Sequence, residues 1–337
     1  MAKAIGCISG GLDSTLALVL VQGLGLEVVA LHVRHLWHPG PFQSDEDPGA
    51  VRMAKGRGVR VLVLDAAEAD LAMVQDPQHG FGKRMNPCID CRIWMLRRAR
   101  EIMETEGAAL VFTGEVLGQR PLSQHRGAMD LIEREAGLQD LLLRPLSAKL
   151  LPATRPEREG VVDRSRLLDI KGRSRQRQMD LARRFGIADY PTPAGGCLLT
   201  DPGFAYRLRD LLAHQPPTAG DVELLKVGRH MRLADGTRLV IGRHQEDCLR
   251  LDRLLRPGDV RIEAADMPGP TTLLRGTASP ENIALAAAVT LRYAKAAPGQ
   301  VRRVQVAPVG GEASEVGAEP AAETLYRDLL IAPERDR

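Results

Sequence analysis

Residues 4–20 read AIGCISGGLDSTLALVL. An apolar run of strand length ends in Ser9, Gly10 and Gly11, and a second apolar run, of helical length, resumes after Thr15. Glycines between a strand and a helix let backbone N–H groups approach an anion closely, and the helix N-terminus adds a favourable dipole. We therefore expect this loop to bind a polyphosphate such as that of ATP.

An acidic residue, Asp13, lies inside this loop, where its charge would repel a phosphate unless a Mg²⁺ ion lies between them. We expect Asp13 to be a ligand of that Mg²⁺ or of its water. Ser14 and Thr15 can donate hydroxyl hydrogen bonds to the same phosphates. The alternative interpretation is a turn and helix cap, with Asp13 or Ser14 at the N-cap.

The first 145 residues alternate short apolar runs with longer helical patterns. This order predicts βαβ units and an α/β fold with a parallel sheet covered on both faces. Ligands of such sheets bind at the carboxyl ends of the strands. His32, Thr113 and Gly114 fall at those ends, so we expect them to join the loop in binding the nucleotide. The predicted strands are 4–9, 28–33, 59–66 and 109–114, and the predicted helices are near 14–24, 46–57 and 91–106.

The stretch from Ser9 to Ser14 (SGGLDS) resembles the PP-loop of the N-type ATP pyrophosphatases. The resemblance implies an adenine nucleotide α-hydrolase-like fold and ATP bound by this loop. It also implies transfer of AMP to a substrate oxygen with release of pyrophosphate. Reaction at the α-phosphate fits the absence of a Walker-type lysine from the loop.

Two of the five cysteines, Cys88 and Cys91, stand two residues apart before a helical pattern, in MNPCIDCRIWML. A third, Cys197, follows two glycines in PAGGCLLTDP. Such thiols suit a metal, an iron–sulfur cluster or a redox pair. Three cysteines are one short of a structural zinc site but suit a [4Fe–4S] cluster with one open iron. Cys7 and Cys248 are expected to be structural.

With these cysteines, the segments NPCIDC, GAALVFTGEVLGQ and PAGGCLLTDP resemble the tRNA thiouridine synthetases of the 2-thiouridylase (MnmA-like) and ThiI-like types. Cys91 and Cys197 match the two functional cysteines of those enzymes, and Cys88 stands where the 2-thiouridylases have an aspartate. The resemblance implies a three-cysteine, [4Fe–4S]-dependent enzyme in which Cys88, Cys91 and Cys197 hold the cluster. In the persulfide alternative, Cys91 or Cys197 carries the sulfur. Asp13, Cys91 and Cys197 are then the catalytic residues.

A basic segment follows. Between Arg155 and Arg184 there are ten Lys or Arg against five Asp or Glu, a net charge of +5 within a chain whose net charge is only +3. The alternative is a solvated helical face. The position of the segment between the ATP loop and Cys197, however, favours contact with RNA phosphates. The candidate contacts are Arg173, Arg175, Arg177, Arg183 and Arg184.

The C-terminal half predicts a small α+β domain, with a β-hairpin that turns at ADG. Its segments KVGRHMRLADGTRLVIGRHQED and DMPGPTTLLRG resemble the RNA-binding domain of the NFACT family. The resemblance implies RNA contacts, for which Lys226, Arg229, Arg243 and His244 are the candidates. A hairpin of structural basic residues is the alternative.

We therefore predict four regions: an ATP-binding adenylation domain (1–148), a basic helical segment with the Cys197 loop (149–213), an RNA-binding domain (220–307) and a flexible tail (308–337). Residues 214–221 are expected to be a linker. Neither an export signal nor an apolar run of about 20 residues is present, so we expect a cytoplasmic protein without membrane contact.

The function predicted is that of a tRNA sulfurtransferase, which adenylates a uridine carbonyl oxygen with ATP and then replaces it with sulfur from a sulfide or persulfide donor. Two alternatives stay open. One is a PP-loop enzyme that adenylates or amidates with ammonia as the nucleophile. The other is a non-catalytic protein that binds ATP and RNA.

Overall fold

The structure, a computed structural model, describes residues 1–42, 46–187, 190 and 196–333. It divides into two units, Met1–Cys197 and Leu198–Arg337. The predicted domains had placed their first boundary at residue 148. Residues 149–197 therefore belong with the nucleotide-binding half.

The first unit contains five strands and seven helices. The strands are β1 (Lys3–Cys7), β2 (Glu27–Arg34), β3 (Arg60–Asp65), β4 (Leu110–Thr113) and β5 (Leu142–Leu143). The helices are α1 (Leu12–Gly23), α2 (Gly49–Gly56), α3 (Ala67–Gln75), α4 (Cys88–Thr105), α5 (Arg126–Glu135), α6 (Arg155–Arg158) and α7 (Gln176–Arg184). The strands form one parallel sheet in the order β3-β2-β1-β4-β5.

Both faces of this sheet are buried, as the near-continuous apolar strands predict. Ala4 and Phe112 belong to the hydrophobic cluster on one face. Their sequence neighbours Ile5 and Val111 belong to the cluster on the other face. Because successive side chains of a strand point to opposite faces, helices must cover both sides. The predicted α/β fold is confirmed.

The prediction of a mostly helical segment at 149–213 is wrong for most of its length. Of its described residues, those in α6, in α7 and in the next unit's first helix (Pro202–His214) are α-helical. Gly160 and Gly172 have φ values of 76° and 83°, a left-handed conformation that ends helices. Half of the ten Lys and Arg between residues 155 and 184 therefore lie outside the α-helices.

The second unit contains five helices and six strands. The helices are α8 (Pro202–His214), α9 (Ala219–Leu225), α10 (Gln245–Leu254), α11 (Pro280–Tyr293) and α12 (Glu323–Tyr326). The strands are β6 (Arg229–Arg232), β7 (Arg238–Ile241), β8 (Val260–Ala264), β9 (Thr272–Arg275), β10 (Arg302–Pro308) and β11 (Ser314–Ala318). The strands form one antiparallel sheet in the order β11-β10-β8-β9-β7-β6.

The predicted hairpin is the pair β6–β7, and the predicted α+β character of this unit is confirmed. Two other expectations are wrong. The expected flexible tail contains β11, which pairs with β10 at the sheet edge. The expected linker at 214–221 lies inside the unit, where fully buried Asp221 accepts hydrogen bonds from the Thr218 hydroxyl and the Gln215 amide.

None of the helices in the described part of the chain is long and apolar enough to cross a membrane.

Candidate active site at the carboxyl edge of the parallel sheet

The loop between β1 and α1 is held by its own hydroxyl groups. Gly10 has a φ of 78°, which a side chain would strain. The hydroxyls of Ser14 and Thr15 donate to the Gly11 carbonyl at 2.9 and 3.1 Å, and the Ser9 amide donates to the Ser14 hydroxyl at 3.3 Å. The N-cap of α1 is Gly11, with no side-chain cap, which rules out Asp13 or Ser14 as the N-cap. Phosphate binding by the two hydroxyls stays a prediction.

The end of β4 packs directly beneath this loop. A β-carbon on Gly114 would lie 2.4 Å from the Ser14 nitrogen and 2.5 Å from the Asp13 carbonyl carbon. Only glycine lets the end of β4 approach the first turn of α1 this closely. The neighbouring Thr113 is 2% exposed, and its hydroxyl donates to Glu115 at 3.3 Å. Thr113 and Gly114 therefore support the loop from below.

His32, at the end of β2, supports the loop from the side. Its Nδ1 lies 3.1 Å from the carbonyl oxygen of Ile8, the residue just before the loop. Burial lowers the pKa of the imidazole, which favours a neutral ring that donates its Nδ1–H to this carbonyl. The side chain thus positions the loop, and a direct contact of His32 with nucleotide stays a prediction.

The two carboxylate oxygens of Asp13 have different surroundings. Oδ2 accepts hydrogen bonds from Gln119 at 2.7 Å and from Arg175 at 2.9 Å. Oδ1 is buried without any hydrogen-bond partner. Buried polar atoms are nearly always satisfied, and a carboxylate oxygen is a preferred Mg²⁺ ligand. The free oxygen and the glycine loop therefore fit a Mg²⁺–ATP complex, in which Asp13 would hold the metal.

An arginine that the sequence analysis did not single out joins the loop to the cysteines. Burial and Arg92 lower the pKa of Arg120, while the charges of Cys88 and Asp13 raise it. Cys88 and Asp13 therefore both lie near the same guanidinium. The one sequence signal for Arg120 is its position, a few residues after the end of β4. Contacts show the same proximity, because Gly114 packs against Asp13 and the adjacent Glu115 lies 3.3 Å from Arg92 of α4. The ATP loop and the cysteine helix α4 therefore lie close together.

Cys91 has two further partners that the sequence analysis did not identify. Its Sγ lies 3.9 Å from Nε2 of His35, whose Nδ1 lies 2.9 Å from Oδ1 of Asp70. Asp70 is fully buried, and its Oδ2 accepts the Leu36 amide at 2.7 Å. Burial opposes a charge on His35, but Cys91 and Asp70 together raise its pKa to about 10. A thiol, an imidazole and a buried carboxylate in series suit a nucleophilic cysteine.

A buried ion network fixes the other side of α4. Glu115, 2% exposed, lies 3.3 Å from Arg92 and accepts a hydrogen bond from Arg144 at 3.1 Å. Burial alone would raise the pKa of Glu115, but the two guanidinium groups hold it below its ordinary value. Glu115 is therefore ionised and holds the Arg92 charge near Cys88 and Cys91.

The predicted metal site stays a prediction. All five cysteines lie in the described part of the chain, and none forms a disulfide. Within the described residues, no three His, Cys, Asp or Glu side chains are placed so that they could hold one metal ion. As placed here, Cys88, Cys91 and Cys197 do not fit a cluster, and we derive no step through one. Residues 191–195, in the predicted loop of Cys197, lie outside the described residues.

The five arginines predicted to contact RNA in the first unit are not equivalent. Arg175 contacts Asp13 in the ATP site, Arg177 donates to Asp169 at 2.6 Å, and Arg183 pairs with Asp180. The other two, Arg173 and Arg184, are exposed. Binding of RNA by the exposed members stays a prediction, and Arg175 has a second role next to the nucleotide loop.

In the second unit, the predicted RNA contacts are engaged with protein groups. Lys226 lies 2.5 Å from Glu223, the Arg229 guanidinium lies 4.8 Å from the ring centre of Tyr293, and Arg243 donates to Asp247 at 2.6 Å. The last predicted contact, His244, caps helix α10. Their binding of RNA stays a prediction.

The fold and site define an α/β protein with a PP-type nucleotide loop, joined to a separate α+β unit. Residues 1–149 match the family model described as thiamine biosynthesis protein (ThiI). Residues 228–327 match the model described as NFACT protein RNA binding domain. These matches confirm the resemblances to the ThiI-like proteins and to the NFACT RNA-binding domain that were stated from the sequence.

Individual relatives match about a third of the chain. The chain is 31% identical over 128 residues to a "Probable tRNA sulfurtransferase" of Methanosarcina mazei, covering 35% of this chain and 29% of the relative. It is 30% identical over 125 residues to a "tRNA-specific 2-thiouridylase MnmA" of Acidithiobacillus ferrooxidans, covering 36% and 32%. The chain thus spans about a third of the length of these relatives.

Among solved structures, the chain is similar to a 4-thiouridine synthetase in complex with RNA and bound ATP. The identity is 20%, the TM-score is 0.36, and the match covers 67% of this chain and 52% of that one. This similarity is too slight to support an argument by itself.

Proposed function

We propose that this protein is an ATP-dependent tRNA sulfurtransferase that converts a uridine carbonyl to a thiocarbonyl. The observation that carries the proposal is the proximity of the ATP loop to the cysteine helix α4: Gly114 packs against the loop, and the adjacent Glu115 lies 3.3 Å from Arg92 of α4. Thiolation requires an adenylation site and a reactive sulfur site that lie close together. The matches to ThiI and to the NFACT RNA-binding domain agree with this proposal.

The nucleotide loop, Asp13 and the nearby arginines each have a part in this reaction. ATP supplies the adenylyl group that makes the uridine oxygen a leaving group. The glycine loop binds and orients the phosphates, and Asp13 holds Mg²⁺ through its unpaired oxygen. Arg120 and Arg175 stabilise the negative charge of the departing pyrophosphate. The RNA is bound in part by the second unit.

We further propose that Cys91 is the sulfur-carrying nucleophile, because it contacts a histidine–aspartate pair. His35 stabilises the thiolate, which takes the outer sulfur of a persulfide donor while the donor thiolate leaves. The outer sulfur of the Cys91 persulfide then attacks the adenylated carbon and displaces AMP. The Cys197 thiolate attacks the Cys91 sulfur, which releases the thiouridine and leaves a Cys91–Cys197 disulfide for a reductant to reopen. The cytoplasm, where tRNA, ATP and a sulfide or persulfide donor are all present, is the setting we propose.

Full-length protein incubated with tRNA, Mg²⁺–ATP and a persulfide donor should produce a thiouridine, detected by mass spectrometry of the nucleosides. Cys91→Ser should abolish the thiouridine and retain RNA-stimulated release of pyrophosphate. Cys248→Ser, in the other unit, is the matched control. An amidated nucleoside, or no pyrophosphate release with any RNA, would contradict the proposal.

Iron content tests the predicted cluster separately. If the three cysteines hold [4Fe–4S], anaerobically purified protein should be brown, and Cys88→Ala, Cys91→Ala and Cys197→Ala should each be colourless. An iron-free, active wild-type protein would show that Cys91 acts without a cluster.

A further inference from the structure

Three arginines lie side by side across the antiparallel sheet of the second unit. Arg238 on β7 pairs in register with Arg232 on β6 and with Arg275 on β9. Directly paired residues of adjacent strands point to the same face of a sheet. Like charges in such positions destabilise the sheet, so this row needs compensation by negative charge.

Carboxylates compensate the two outer arginines. Asp210 pairs with Arg232, and Asp259 lies 2.6 Å from Arg275. Fully buried Asp221 lies 3.5 Å from Arg275 and accepts a hydrogen bond of 3.4 Å from the half-exposed Arg256. The cluster therefore holds four arginines against three aspartates.

The central arginine is the one without a carboxylate of its own. Arg238 is 3% exposed, and its Nη1 is buried without a hydrogen-bond partner. No ion pair joins it to any acid in the described part of the chain. Burial and the neighbouring Arg232 lower its pKa to about 10, although the charges of Asp221 and Asp210 raise it, so the nearby acids offset the burial only in part. A buried cation in this position is costly until an anion reaches it.

The four arginines line one cleft of about 310 Å³, together with Gly236 and Gly276. Gly236 leaves room beside the backbone there, since a β-carbon on it would meet no atom within 4 Å. The basic residues predicted from the sequence, by contrast, are occupied by protein partners. Among the described residues, Arg238 is the guanidinium of this cleft that no acid pairs with.

We infer that the arginine cleft binds a phosphate group of the RNA backbone, with Arg238 as the central donor. Guanidinium groups bind phosphate through paired N–H donors, and a buried, prepositioned fork loses little entropy on binding. The inference rests on the proposed function, since it takes RNA as the source of the phosphate. It adds a residue-level site to a domain for which only RNA binding is implied by similarity.

Inorganic phosphate tests the cleft without RNA. The melting temperature of the full-length protein is measured in phosphate and in chloride at equal ionic strength. We expect phosphate to raise it for wild type but not for Arg238→Gln. Because Arg238→Gln removes an uncompensated charge, it should not lower the melting temperature in chloride, whereas a purely structural arginine would. Arg303→Gln, an exposed arginine on the same sheet, is the control and should respond like wild type.

Binding of tRNA provides the second test of the arginine cleft. Binding of tRNA is measured against salt concentration, and each lost phosphate contact should reduce the slope of log K against log salt by about 0.7 to 0.9. Arg238→Gln should lose about one phosphate contact. Arg256→Gln should also lose about one, and its half-exposed side chain can be replaced without disturbing the fold. Unchanged slopes with a retained phosphate response would assign the cleft to free phosphate and overturn the RNA inference. Absence of a phosphate response in wild type would overturn the site.

The two proposals can fail separately. A phosphate response that depends on Arg238, in a protein that forms no thiouridine with any tRNA, would retain the cleft and reject the sulfurtransferase. Thiouridine formation with an unaltered salt slope in both variants would retain the sulfurtransferase and reject RNA binding by the arginine cleft.

Discussion

Replacing Asp70 with asparagine should isolate the contribution of the His35–Asp70 pair to the reactivity of Cys91. Asparagine has the same shape, and its amide oxygen must accept the buried Leu36 amide, which otherwise loses its partner at 2.7 Å. The NH₂ group then faces Nδ1 of His35 in place of a carboxylate oxygen at 2.9 Å. The ring is then held neutral with its proton on Nε2, so the Nε2–H that faces the Cys91 thiolate no longer belongs to a positively charged imidazolium.

The magnitude follows from the charged imidazolium that the thiolate loses as its hydrogen-bond partner. A hydrogen bond to a charged group contributes about 1.5–3 kcal/mol, which corresponds to a rate reduction of about 10- to 150-fold. We expect iodoacetamide to alkylate Cys91 of Asp70→Asn more slowly than wild type by that factor, measured by peptide mass spectrometry at one pH. Cys88 and Cys197 of the same protein serve as internal references.

Asp65→Asn is the matched control. Asp65 also accepts a backbone amide, that of Ala67 at 2.7 Å, but contacts no histidine. Its variant should react like wild type at all three cysteines. The reasoning is refuted if Asp70→Asn leaves the Cys91 rate unchanged, or if Cys88 slows by the same factor in a folded protein.

Three further outcomes are expected. Gly114→Ala should displace the nucleotide loop and abolish ATP binding in equilibrium dialysis, whereas Gly56→Ala, which meets no atom within 4 Å, should bind normally. Asp13→Asn should remove Mg²⁺-dependent pyrophosphate release while tRNA binding persists; full turnover would argue against a metal role. Burial lowers the pKa of His230 well below 6.5, so the unfolded state binds more protons than the folded state. Below pH 6.5 the free energy of unfolding of the second unit should therefore fall by about 1.4 kcal/mol per pH unit. In urea titrations, His230→Gln should reduce this pH dependence, and the exposed His244→Gln should not.

The fold was predictable to the extent that it depends on local pattern. The strands near residues 4, 28, 59 and 109 are continuous apolar runs, and all four were placed within a few residues. The two-residue strand β5 carries no such pattern, because its pairing depends on β4 being in place. The tail strand β11 was missed for a related reason. It contributes only a few apolar side chains and is stabilised by pairing with β10.

The sequence by itself determined the α/β class, the nucleotide loop and the identity of the cysteines, since each depends on residues that are adjacent in the chain. Only the tertiary structure decided which groups those residues meet. His35 and Asp70 are 35 residues apart, and Cys91 follows a further 21 residues later, so no local pattern joins them. The row of Arg232, Arg238 and Arg275 likewise arises from strand register. Such contacts are set by packing and pairing across the whole chain, and the reactive chemistry of this protein depends on them.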